Sequence, residues 1–258
     1  MLGSALDIFS KAGGAYLSRW SHVVVGITWI GLLYYFNFVQ VPAFAEMEAA
    51  ARNNTIDKLA SRALWWFRWA AVATVLTGLL ILSFTRSSIN GGEVKAELMN
   101  VDYWRSQDGT AILAGILLGL TMFLNVWGVI WPKQKIVIAN ARNVQAGGEA
   151  NPAAAAEGRK ALVASRMNMI FSLPLLVFMV GASHFPYKDV NASAGNRWTF
   201  WIVWIVLWAF LEANALGLLG GVKPGGLRLI YDTHQNALIA GFVYAALALA
   251  VYAVALAA

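Results

Sequence analysis

The sequence predicts an all-α integral membrane protein, a bundle of about six transmembrane helices forming a single domain over residues 1–258. Three observations carry this. The chain is 59% apolar and 12% charged, where soluble domains carry about 25% charged residues. Its apolar residues gather into six runs, about 16–44, 63–84, 109–131, 162–184, 197–219 and 233–257, each matching the ~20 residues that cross a bilayer. Among twelve tryptophans, Trp20, Trp65, Trp66, Trp131 and Trp198 fall at run ends, the depth of an interfacial aromatic belt.

Taken in order, residues 1–14 contain Asp7 and Lys11 and lack a signal-peptide core; they read as an interfacial helix or a loose tail. The first span is not a plain anchor. At helical spacing His22, Gly26, Trp29, Leu33, Asn37 and Gln40 share one face, and such a polar stripe faces protein, a cofactor or a cavity rather than lipid. The span either stops near Phe44 or continues to Ala51. The second span, ALWWFRWAAVATVLTGLLILSF, is followed by a polar segment at 85–108 with Gly91-Gly92 as its turn. In the third, Pro132 is expected to kink the helix rather than end it, with KQKIVIANAR as a basic extension. Gly115 and Gly119 permit close helix approach there. Residues 144–158 read as a loop, the fourth span has Pro174 inside it, and residues 220–236 read as a flexible turn ending in an N-cap at Asp232 or Thr233.

Six spans put both termini on one side. That side carries seven Lys and Arg, the other twelve, so the second is cytoplasmic and both termini are outside. There is no cysteine, which excludes disulfides, cysteine-ligated clusters and c-type haem attachment. Basic residues scattered between apolar spans leave no nucleic-acid footprint.

His22, His184 and His234 are the three histidines, all near span ends. His22 and His184 lie at similar outer depth on different helices, as a bis-imidazole haem b site needs. The same residues also fit interfacial histidines bonded to headgroups, water or backbone. Glu212 is the carboxylate inside an apolar run, on one face with Trp201, Trp204 and Trp208. It reads either as a proton acceptor or substrate anchor, or as a structural partner for Arg68, the pairing being favoured. Asn125, Asn168 and Asn214 join Asn37 and Gln40 as in-span amides. Each one reads as a helix–helix hydrogen bond and together as a polar interior. These amides and Glu212 also suit a transporter, against which stands the lack of an inverted repeat.

The strings HVVVGITWIGLLYYFNFVQVPAF and ALWWFRWAAVATVLTG, over about residues 21–78, resemble the membrane domain of the bacterial membrane-bound urate oxidase (urate hydroxylase) family, and NVWGVIWPKQK extends the likeness. A weaker likeness is to membrane oxidoreductases of the protoporphyrinogen-oxidase type. The urate-oxidase resemblance implies an inner-membrane enzyme of purine breakdown that passes electrons to a periplasmic cytochrome c domain. The sequence given ends at Ala258 and carries no Cys-x-x-Cys-His. A separate cytochrome c is therefore the expected acceptor, with an accessory subunit of a larger membrane complex as the alternative. The resemblance carries over only first-span positions, His22, Trp29 and Asn37, as candidate cofactor-binding residues. The reading of the residues themselves adds His184 as a second metal ligand with His22, and Glu212 and Arg68 as candidates for the chemistry.

Overall fold

The computed structural model describes residues 10–88, 93–184 and 193–256, with the backbone alone at 182–184. It is 85% helical, and six helices are long and apolar enough to span a membrane. These are α1 (Lys11–Glu46), α2 (Ala49–Phe84), α4 (Gln107–Gln145), α5 (Ala154–His184), α6 (Ala194–Ala215) and α8 (His234–Ala255). Short helices α3 (Val101–Arg105) and α7 (Leu229–Asp232) precede α4 and α8.

Several boundaries move from their sequence expectations. Ser10 caps α1 by accepting from Gly13 N–H, so the helix starts before residue 16. It ends at Glu46 because Met47 turns extended, and the chain restarts helically at Ala49 rather than running on to Ala51. α4 passes through Pro132 to Gln145, as its basic extension predicts, and α5 begins at Ala154, inside the expected loop. The polar segment holds a two-stranded antiparallel ladder, β1 (Arg86–Ser87) against β2 (Lys95–Ala96). The turn expected at Gly91-Gly92 lies outside the described residues. Thr233, not Asp232, caps α8.

The proline effects have a definite backbone form. Pro42 and Pro132 lack the N–H that an α-helix would send four residues back, and their rings crowd that carbonyl. One residue before each, the ladder widens: Val41 N–H bonds Phe36 O and Trp131 N–H bonds Val126 O, each five residues back. The resulting π segments, Phe36–Gln40 and Asn125–Ile130, open with the buried side chains of Phe36, Asn37, Asn125 and Val126. A third π segment, Ile56–Ala60, carries buried Asp57.

α5 is the central element, its apolar window the most buried of the six. α4 and α8 close on it where side chains are missing. A Cβ on Gly241 of α8 would meet the α5 backbone at Ile170 at 3.3 Å, and one on Gly115 of α4 would meet Phe178 Cβ at 3.4 Å. Phe178, Phe200, Trp204, Tyr244 and Tyr252 form an aromatic core between α5, α6 and α8, with Trp204 stacked on Tyr244 at 5.1 Å. Val23, Val24 and Ile27 of α1 and Ile202, Val206 and Phe210 of α6 face outward, the pattern of a lipid-facing surface. Trp20, Trp65, Trp66 and Trp198 are exposed; Trp198 sits near the start of α6, whereas Trp65 and Trp66 fall midway along α2, which starts at Ala49 rather than near residue 63.

The described chain ends meet at one end of the bundle. Arg19 donates to Thr85 at 3.2 Å, Gln107 to Leu256 O at 2.6 Å and Arg197 to Arg105 O at 3.3 Å. At the other end Asp57 pairs with Arg142, Glu157 with Lys133 and Lys160, and Asp232 with Arg159.

Candidate functional site

The chemistry gathers along one stripe of α5. Ser165, Asn168 and Ser172 are spaced by three and four, so they share a face; Ser165 and Ser172 take partners from α1 and Asn168 takes its partners from α4. Asn37 Nδ2 donates to Ser165 Oγ at 2.9 Å. Asn125 Nδ2 donates to Asn168 Oδ1 at 3.0 Å, and Asn168 Nδ2 to Met122 O at 3.0 Å. Ser172 gives its proton to Met169 O, so Tyr34 Oη donates to Ser172 Oγ at 2.9 Å. Two of these partners, Asn37 and Asn125, are the amides at the start of the π segments. A π turn inserts one residue, about 100° of helix rotation, and that rotation aims each amide at α5.

Glu212 joins this spine. It is buried, and Asn125 Nδ2 donates to Glu212 Oε2 at 3.2 Å. No ion pair to it occurs among the described residues. The favoured pairing with Arg68 is therefore corrected. Arg68 lies over the Trp131 ring, its guanidinium carbon 3.3 Å from the centroid and 5.8 Å from that of Trp127. Its Nε and Nη1 have no hydrogen-bond partner among the described residues, and the indole face compensates the buried cation. Trp208, on the Glu212 side of α6, donates Nε1 to Thr121 Oγ1 at 3.0 Å.

Below Glu212, Tyr231 is fully buried and donates to Leu211 O at 3.0 Å. Burial raises the Tyr231 phenol above its ordinary range, so it stays a donor. Arg166, also buried, caps the short α7 by donating to Tyr231 O at 2.7 Å and Asp232 O at 2.6 Å. The glycine-rich turn before it is tied down, not free. Asn214 donates to Leu227 O, Arg159 to Val222 O and Gly225 N–H to Asp232.

The expected stripe on α1 does face inward, with Trp29, Leu33 and Asn37 buried and His22, Gly26 and Gln40 half-buried. It does not form one site. His22 and Asn37 are fifteen residues apart, about 22 Å along the axis at ~1.5 Å per residue. Trp29 lies between them in the core with its Nε1 unpartnered.

His22 Nδ1 lies 3.1 Å from Thr77 Oγ1 on α2. The Thr77 proton goes to Ala73 O at 2.7 Å, so the hydroxyl oxygen accepts from His22 Nδ1–H and Nε2 keeps its lone pair. That is the arrangement of a metal-ligating imidazole oriented by its other nitrogen. His184 closes α5, and its side chain lies outside the described residues. The Tyr34–Ser172 bond sets the register of antiparallel α1 and α5: His22 lies twelve residues back and His184 twelve residues on, so their backbones reach one depth. His234 is at the opposite end, edge-on to Phe38 at 5.8 Å.

Ser165, Ser172, Arg166, Tyr34, Thr77 and Thr121 are among the interior polar residues that sequence reasoning missed. The spacing of Ser165, Asn168 and Ser172 was the available signal.

A cavity of about 170 Å³ opens between α1, α2, α4 and α5, lined by Asn37, Gln40, Phe36, Phe67, Ile130 and Ser165 among others.

Fold and interior together define a multi-pass helical membrane protein whose central helix organises a hydrogen-bonded polar spine around a buried carboxylate. Residues 93–215, just under half of the chain, match the family model described as urate oxidase N-terminal. The match covers α3 through α6 and so includes Asn125, Asn168 and Glu212, but lies downstream of the first-span strings that carried the resemblance. No curated protein and no solved structure matches the chain.

Proposed function

We propose that this chain is the membrane-embedded module of a urate-oxidase-type oxidoreductase in a bacterial inner membrane, with both termini periplasmic and electrons leaving to a separate cytochrome c. The observation that carries this reading is Glu212. It is a carboxylate in the interior, inside the family-matched region, held by the Asn125 amide and by no cation among the described residues. Oxidation of an N–H heterocycle releases protons with its electrons, and Glu212 is the interior group able to accept one. Asn125 and Asn168 hold that carboxylate in one orientation.

His22 would hold a b-type haem through Nε2, since Thr77 orients the ring by its other nitrogen. His184, at the same depth, is the proposed second ligand. A haem there would supply the electron-accepting iron. Arg68, stacked on Trp131 rather than beside Glu212, then has a positioning role in the α2–α4 contact.

The test is urate-dependent reduction of an artificial electron acceptor by the detergent-purified chain, together with oxidised and reduced optical spectra of wild type and His22→Ala. Turnover with a b-type α-band that His22→Ala removes is the expected result. A featureless spectrum and no turnover from haem-replete cells would move the reading to an accessory subunit.

A further inference from the structure

Space and unmet hydrogen-bond acceptors coincide in the interior between four of the long helices. In the cavity between α1, α2, α4 and α5, Asn37 is fully buried and its Oδ1 has no partner among the described residues; neither has the buried Oε1 of Gln40, three residues on. The Asn37 amide cannot be turned around. Both Nδ2 protons are used, on Leu33 O at 2.9 Å and Ser165 Oγ at 2.9 Å, which fixes Oδ1 as the free atom. Two buried acceptors left empty in an apolar surround are costly, and they mark a place for donors.

The walls select the rest of the ligand. Phe36 and Phe67 meet edge to face at 5.4 Å beside Ile130, and the lining holds amides and a hydroxyl but no Lys, Arg or His. No anion is compensated there. An apolar cavity of about 150 Å³ holds one benzene ring, and this one is about 170 Å³. The π turn before Pro42 places Asn37 and Gln40 on the cavity side of α1.

We propose that this cavity binds a flat, uncharged ring that presents O–H or N–H donors along its edge to Asn37 Oδ1 and Gln40 Oε1. A membrane quinol and a neutral oxopurine share that chemistry, one reaching the site from the bilayer and the other from water. The site stands on its own geometry, while a part for it in turnover rests on the urate-oxidase reading above.

The experiment is a thermal-shift and calorimetric titration of the full chain in detergent with a short-tailed ubiquinol and, separately, with xanthine. Wild type is compared with Gln40→Leu, which removes one acceptor, and Ala60→Leu, which fills the cavity from α2. Binding of one probe, weakened about tenfold by Gln40→Leu, as one lost hydrogen bond of about 1.4 kcal/mol predicts, and abolished by Ala60→Leu is the expected result. The probe that binds names the source. No binding of either at millimolar concentration, or binding unchanged in both variants, overturns the proposal. Binding without any urate turnover supports the cavity and counts against the proposed function. Turnover that persists unchanged in both variants, with no binding, does the reverse.

Discussion

Asn168 is the residue on which most of the interior depends. Its side chain accepts from Asn125 and donates to Met122 O, and Asn125 in turn reaches Glu212. Interhelical hydrogen bonds in membranes average ~0.6 kcal/mol, but a stranded buried partner costs about 1–3 kcal/mol. Asn168→Leu should therefore destabilise the protein by about 1–3 kcal/mol, seen as a lower unfolding temperature in detergent. Glu212→Gln keeps the shape and the contact with Asn125 while removing the charge. The fold should survive it, and turnover should fall about 10²–10⁴-fold if the carboxylate handles the proton; an unchanged rate would assign Glu212 to structure alone. Glu212 was legible as an in-span carboxylate. Its partner was not, because depth along two helices matched Arg68 equally well and only rotation about the axes separates the two.

At the scale of elements, the widened turns before Pro42 and Pro132 decide what each helix points inward. Pro132→Ala would restore the missing N–H and let Asn125–Ile130 relax to α geometry. The change in twist, about 100° per residue, would swing Asn125 away from Asn168 and Glu212. Helix content by circular dichroism should stay constant while turnover drops and unfolding temperature falls. Both measurements unchanged would show that the π turn persists without the proline. Proline positions are visible in a sequence, and the kink at Pro132 was expected. The inserted residue was not, since it depends on which carbonyl the surrounding helices leave free to bond. Ser165 and Ser172 escaped notice for a related reason. A serine in a transmembrane helix satisfies itself on its own backbone, as Ser172 does on Met169 O, so its second role is set by the neighbour.

Across the molecule, the end holding Asp57, Glu157 and Asp232 collects Arg142, Lys133, Lys160 and Arg159 as their partners. The excess of Lys and Arg lies on that side, which we propose to be cytoplasmic by the positive-inside rule. A reporter active only outside the cell should therefore be active when fused after residue 256 and inactive when inserted at 146–153, between α4 and α5. The opposite result would invert the topology. Surface pairs contribute about 0–1 kcal/mol each, and the buried Asp57 keeps Lys58 as a second partner when Arg142 is removed. Arg142→Ala should leave the unfolding temperature nearly unchanged at high salt, and a large loss there would show that the end of α4 is more deeply held than its 62% side-chain exposure indicates.

Membership in a bilayer, the number of spans and the inward stripe of α1 were all determined by the amino-acid sequence, because hydrocarbon tolerates few unpaired polar groups and apolar length alone measures a crossing. The same constraint made Asn37, Asn125, Asn168 and Glu212 conspicuous. Only the tertiary structure decided which of them meet. It gave Glu212 to Asn125, laid Arg68 on Trp131, and left two acceptor oxygens facing a cavity. Those outcomes depend on helix rotation and on π turns of one residue. A periodic pattern fixes a face to within about one residue's rotation of 100°, and a hydrogen bond demands far less error than that.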